Sequence, residues 1–530
     1  MLSLAASLAL AGPAAAQIES RPLAVIDAFS TGAGGPGLGA DLWQGASTPL
    51  VRQVLPTLGQ RPMSPAAAML ARHVLATGAT APDGAGADSD LAGQRLLALI
   101  DLGGARAADA IARTAPDLAD SEPLARAAAE AALTVRQEAR ACAISQGLQV
   151  GRDGAYWLEL RAFCQAMAGD LDKAQTTYSL ANEAAKDVVY RRLMGAKLLG
   201  SGAPPAPSLR DGLDLALVRS LAIDPTPALD GASPAVAAEL ARDATLPPEV
   251  RLAAAARAVR GAVTLDDLFD GGQPPLWPAA GPDAAAQDPA AAIKALALKP
   301  GVAAEAGLVA LALRQSDAAA AGAALDALFG RAKTPGDFIA LARLAIPAVR
   351  ALAAPDKALA SPLRLACAAV AANDPQTARA IRARISRESV GASDLALLDA
   401  AIAALGPGDP QTMDRLAERG GHDGAKAPTQ AAAVLFLALG DPLSADARAE
   451  VAGFDVGRSQ ASAAKLALLD SAAGAKAKGE AAILALSLAA DAGAAGLAPA
   501  DRARVVAALR RAGLEADARA LDAEGLLSLK

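Results

Sequence analysis

Aromatic side chains are scarce in this chain, with seven Phe, three Trp and three Tyr among 530 residues. A conventional core of that size fills its volume with such rings, so one large core built on them is excluded. Histidine occurs twice, at His73 and His422, and neither has Cys or carboxylate neighbours at ligand spacing. That removes any local metal motif and leaves little basis for a histidine-dependent nucleophilic triad. Lys/Arg runs interleaved with aromatics are also missing. With 50 basic and 56 acidic residues, the net charge is −6 and the pI is near 5.3. A phosphate backbone finds nothing concentrated to hold it, which argues against a nucleic-acid partner.

Alanine dominates what is there. Ala is the best helix former and lets helix backbones approach closely, so an Ala-rich chain buries apolar surface through helix–helix contact. The mean hydropathy of +0.28 reflects alanine more than bilayer-grade apolarity. The first residues, MLSLAASLALAGPAAAQ, carry an apolar stretch, a Gly-Pro break and three Ala before Gln17. This is the pattern of a secretory signal peptide over 1–16, cut after Ala16, although its first residues lack Lys and Arg. Without a Cys after the apolar stretch, lipoprotein processing is not expected. Residues 481–500 are apolar but contain Asp491 and are bounded by Glu480 and Asp501. They read as a buried repeat helix, not a bilayer span.

A spacing recurs. Gly103 is followed five residues later by Ala108, Gly169 by Ala174, Asn373 by Ala378, Gly440 by Ala445 and Gly513 by Ala518. Each pair lies between segments of helical period. Three copies are punctuated more strongly, as Asn373-Asp374-Pro375, Gly408-Asp409-Pro410 and Gly440-Asp441-Pro442. Gly or Asn takes the left-handed conformation that ends one helix. Asp then caps the next helix, and Pro at its first position loses no hydrogen bond. The Ala is expected where the two helices cross. The intervals fall near multiples of about 34 residues, the period of a two-helix repeat.

Residues 155–184 resemble a tetratricopeptide repeat. Ala162 stands at the small position of the first helix and Gly169 at the turn. Ala174, Tyr178 and Ala181 form the small–aromatic–small pattern of the second. Gln165 stands where the family has an aromatic, and no terminal Pro follows. The resemblance implies an all-α fold: a helical-repeat α-solenoid of stacked antiparallel helix pairs with an irregular Pro/Gly-rich junction. The expected organisation is a signal peptide (1–16), a flexible Gly/Pro-rich leader (17–60), an N-terminal array (61–200), the junction (201–290) and a C-terminal array (291–530).

Chemical motifs are weak. GAGGPG at 32–37 satisfies a dinucleotide pattern formally, but Pro36 sits inside the loop, LGADLWQG follows, and no parallel-sheet pattern surrounds it. Glu388 in ISRESVGASD resembles the general acid of lytic transglycosylases, but a repeat-like helix follows and no pocket to raise its pKa is evident. Cys142 and Cys164 lie on consecutive expected helices, either as a disulfide or as two buried small apolar side chains. Cys367 is then the odd cysteine. Four of the six Trp and Tyr residues, Tyr156, Trp157, Tyr178 and Tyr190, fall between 156 and 190. They fill a repeat core, or Tyr156 and Tyr190 line a partner-binding groove.

Lacking a catalytic constellation, the chain is expected to be a periplasmic protein–protein interaction scaffold. It would position components of a cell-envelope machine for wall synthesis, surface export or motility. No cofactor is called for, and membrane contact would be indirect or through an uncleaved N-terminal segment. The alternatives are a peptidoglycan-acting enzyme or its regulator, and self-assembly through the array ends.

Overall fold

The computed structural model describes residues 29–34, 37–85, 88–200, 204–269, 288–357, 359–386, 390–406, 411–422, 426–440 and 443–529. The signal-peptide segment, Trp277, Glu388, Asp409, Pro410, Asp441 and Pro442 lie outside those residues. Among the described residues no strand forms, only isolated bridges at Ser47–Asp83 and Leu58–Arg61. The fold is all-α, a stack of antiparallel helix pairs.

The first half comprises α1 (Thr48–Val54), α2 (Pro65–Ala76), α3 (Ser89–Asp101), α4 (Ala105–Ala112), α5 (Glu122–Thr134), α6 (Glu138–Gly147), α7 (Ala155–Met167), α8 (Leu171–Ala185), α9 (Val188–Leu199), α10 (Gly212–Ser220), α11 (Pro234–Arg242), α12 (Pro248–Arg260) and α13 (Leu265–Phe269). The second comprises α14 (Pro289–Leu298), α15 (Val302–Arg314), α16 (Ala318–Phe329), α17 (Pro335–Leu352), α18 (Pro362–Ala371), α19 (Pro375–Arg382), α20 (Ala392–Ala404), α21 (Gln411–His422), α22 (Lys426–Ala438), α23 (Ala445–Ala452), α24 (Ala463–Gly474), α25 (Lys478–Ala492), α26 (Pro499–Arg511) and α27 (Glu515–Leu527). Sequence neighbours pack closely, as α7 on α8, α11 on α12, α15 on α16, α18 on α19 and α26 on α27, and so do α3 and α5 across the chain between them.

The turn chemistry follows from the residues. Gly103, Gly169, Gly440 and Gly513 have φ of 93°, 83°, 77° and 90°, and Asn373 has 58°. Asp374 accepts from the Thr377 N–H, with Pro375 opening α19. Ala108, Ala174, Ala378 and Ala518 are fully buried at the helix crossings. Ala445 is exposed instead: Ser444 caps α23, so Ala445 is its first residue, too early to reach the crossing, and Ala447 is buried there.

Two expectations about organisation differ from what forms. The leader expected to be flexible is packed from Phe29 onward, with Phe29, Leu42 and Trp43 all buried and the two rings edge to face. Its dock is the far end of the chain. The Gly479 N–H donates to the Leu42 carbonyl at 2.7 Å, and a Cβ on Gly479 would come within 2.5 Å of that oxygen, so only glycine fits. The junction likewise carries helices among its described residues, although 204–211 run without helix. Helices α10, α11 and α12 lie in the core, with Pro234 and Pro248 opening the last two instead of interrupting them.

The ends of the described array meet. Helix α2 packs on α25 and α27, and α1 on α25. Glu524 on α27 accepts from the Ala66 N–H at 2.7 Å and from Arg502 at 3.0 Å. His73 Nδ1 lies 3.0 Å from Asp517, which holds the imidazole above its usual pKa. One continuous core therefore runs from Phe29 to Leu526.

Candidate partner-docking module

A second, smaller core lies beside the first. It is built on α5 to α10 and centres on Trp157, Phe163, Tyr190, Leu193 and Met194. Helix α5 separates the two. Leu124, Ala127, Ala128 and Ala131 face the main core, while Ala125, Ala129, Ala132 and Leu133 face the second. Its alanines permit close approach on both sides, and Gly93 of α3 meets its first turn where a Cβ would lie 2.3 Å from the Leu124 nitrogen.

All four residues singled out from the sequence fall in this module. Cys142 of α6 and Cys164 of α7 are joined as a disulfide, with Cα atoms 5.6 Å apart. Helix α6 buries little of its own, only Ala141 and Ser145, so the bond ties a lightly packed helix to a well packed one. Tyr190 is 2% exposed, and its hydroxyl donates to the Glu159 carbonyl at 3.0 Å. Its ring is core, not the lining of a groove, because α9 turns it inward against α7. Tyr156 is half-buried, edge-on to Trp157, with the Arg126 guanidinium 5.0 Å from its ring centre. The Trp157 Nε1–H donates to Glu122 at 3.0 Å. Cys367 is buried in α18, and the His422 side chain lies outside the described residues.

A carboxylate group sits between α7, α9 and α10. Arg210 reaches Asp214 at 2.7 Å and Asp187 at 3.0 Å. Glu159 is pushed up to about 7, first by burial and then by Asp187 and Asp211. Burial likewise raises the Glu130 carboxyl, which accepts from the Gly212 N–H at 2.8 Å. Among the described residues no group of His, Cys, Asp or Glu is placed to hold a metal ion.

At the base of the module lies a groove of about 590 Å³ between the end of α5, α10 and the α11–α12 turn. Leu215, Val218 and Leu240 form its apolar floor, and Arg136 is ion-paired with Asp243 at the rim. Arg219 donates to the carbonyls of Leu133 at 3.1 Å and Thr134 at 3.2 Å, closing the C-terminus of α5. Burial pushes this guanidinium down to about 10.

The outer side of the module is unlike the rest of the surface. Eight large apolar side chains are exposed among the described residues, and Val150, Met167, Leu171, Leu180, Val188 and Leu199 all belong to this region. Helix α8 buries only Ala174 and Ala181, so it projects as an edge helix on α7. Sequence reasoning found the aromatic cluster but not this surface. Its signal was available in the stretch from 188 to 199, where apolar and Arg residues share the face opposite Tyr190, Leu193 and Met194. No family model, no curated protein and no solved structure matches this chain.

Proposed function

We propose that the chain is a protein-binding scaffold and that the disulfide-tied module of α5–α10 is its docking element. The observation that carries this reading is the concentration of exposed apolar side chains on α7–α9. Monomeric proteins rarely leave clustered apolar surface uncovered, and such clusters mark sites of association. A stack of helix pairs offers a rigid frame on which to hold them. In this reading the hairpin of α7 and α8 is of tetratricopeptide type. With a signal peptide at 1–16, the scaffold acts in the periplasm on an assembly of the cell envelope.

A photo-crosslinking residue at Leu180, on the outside of α8, tests it in the native host. A single heterologous protein should be captured repeatedly there. The same residue at Leu468, an equally exposed leucine of α24, should capture none. Adducts only with a second copy of the chain, or equal capture at both positions, would overturn the docking role.

A further inference from the structure

Helix α9 buries Tyr190, Leu193 and Met194 and turns positions 188, 191, 192 and 199 outward. These are i, i+3, i+4 and i+11, one face of an α-helix about 16 Å long. Val188 is 63% exposed and Leu199 76%, one at each end of the face. Arg191 and Arg192 lie exposed between them. Gly195 between them packs against α8, where an added Cβ would meet the Tyr178 hydroxyl at 3.2 Å. Among the described residues neither arginine is in an ion pair, and Arg192 only donates to the Ala206 carbonyl at 3.1 Å. Asp187, the adjacent carboxylate, is taken up by Arg210 and by the N–H groups of Val189 and Tyr190. The face therefore shows uncompensated positive charge framed by two apolar side chains, on a chain whose net charge is negative.

We propose that this face docks an acidic amphipathic helix of a partner protein. Carboxylates of the partner would take Arg191 and Arg192 in bidentate pairs. Apolar side chains a turn or more away would cover Val188 and Leu199. An anionic bilayer fits less well, since interfacial helices insert a continuous apolar side with aromatic anchors. Here the two apolar groups stand about 16 Å apart with two arginines between them. The inference rests on the scaffold reading and names the chemistry of the partner.

The test uses the full chain in its native host, with a benzophenone side chain at Leu199 and, separately, at Leu180, and sequencing of the crosslinked peptides. At Leu199 the captured segment should carry Asp or Glu at helical i, i+3 or i+4 spacing. The double substitution R191E/R192E should cut that adduct at least about tenfold while leaving the melting temperature unchanged. A captured segment that is neutral or basic, a lipid adduct, or a yield indifferent to R191E/R192E would overturn the proposal. If any of these occurs while capture at Leu180 persists, the scaffold reading survives and only the acidic partner is lost. No heterologous adduct at either position overturns both.

Discussion

The main core and the module solve the same packing problem with different residues. The main core is lined chiefly by Ala, Leu and Val over nearly the whole described chain, and its two ends close on each other through α2, α25 and α27. The module has a much smaller core, filled by Trp157, Phe163 and Tyr190 and tied by a disulfide. Alanine helices stabilise through many close contacts, so they need length and closure. A short stretch of chain has neither and relies on large side chains and a covalent tie. The difference also explains the surface: where only a few helices stack, some apolar faces find no neighbour.

The closure is where that comparison can be broken most severely. Arg502 and Glu524 are both almost fully buried, and Glu524 also holds the Ala66 N–H. Arg343, which with Glu524 lines a small cavity at this closure, is pushed down to about 10 by burial, with the Glu524 charge opposing the shift. Glu524→Ala therefore removes the carboxylate that pairs with buried Arg502, the counter-charge that favours ionised Arg343 and the acceptor of the Ala66 N–H together. It should cost about 3–5 kcal/mol in urea unfolding. Hydrogen exchange should show α1, α2, α25 and α27 losing protection first. A loss below about 1 kcal/mol would mean that the ends are not held through this contact.

The module should fail by itself. Replacing Cys142 and Cys164 with Ser removes a tie across 22 residues, worth about 3 kcal/mol on a chain-entropy account. Amides of α6–α9 should exchange faster while those of α2 and α25 do not change. If the whole chain loosens equally, the two cores are one cooperative unit and the comparison collapses.

How far these features were legible in the sequence depends on how local their causes are. The hairpins were, because a left-handed Gly or Asn, an Asp cap and a Pro at the first helical position act within a few residues, as at Asn373-Asp374-Pro375. The Cys142–Cys164 neighbourhood was partly legible, since consecutive antiparallel helices bring such positions together. The closure was not: Gly479 against Leu42 and Glu524 against Ala66 join positions more than 400 residues apart, and nothing local marks either partner. The leader misled because some of its glycines serve close contacts, as Gly32 against Gly78 and Gly59 against Asp101. Tyr190 misled because an aromatic on a repeat helix reads the same whether it faces a groove or a core, and the helix phase decides.

A smaller effect probes the module's interior charge. The unfolded chain releases the Glu159 proton near 4.5, and the folded chain only near 7. The folded state thus holds the proton more tightly, so this group's contribution to stability falls as pH rises between those values and stays low above them. Glu159→Gln should leave stability unchanged at pH 4 and raise it by about 1–2 kcal/mol at pH 8, allowing for partial solvent screening. A gain equal at both pH values would show that packing, not charge, is responsible.

The smallest expected change is the most diagnostic of what the module is for. Leu180→Ser removes an exposed apolar side chain that no core contact needs, so unfolding free energy should move by no more than about 0.5 kcal/mol. If the leucine served the fold, the module would have to be larger than its buried residues indicate, and the loss would exceed that. Unchanged stability together with lost capture of the partner would separate the two kinds of residue on α8: Ala174 and Ala181, which hold the hairpin, and Leu180, which the fold leaves free for something else.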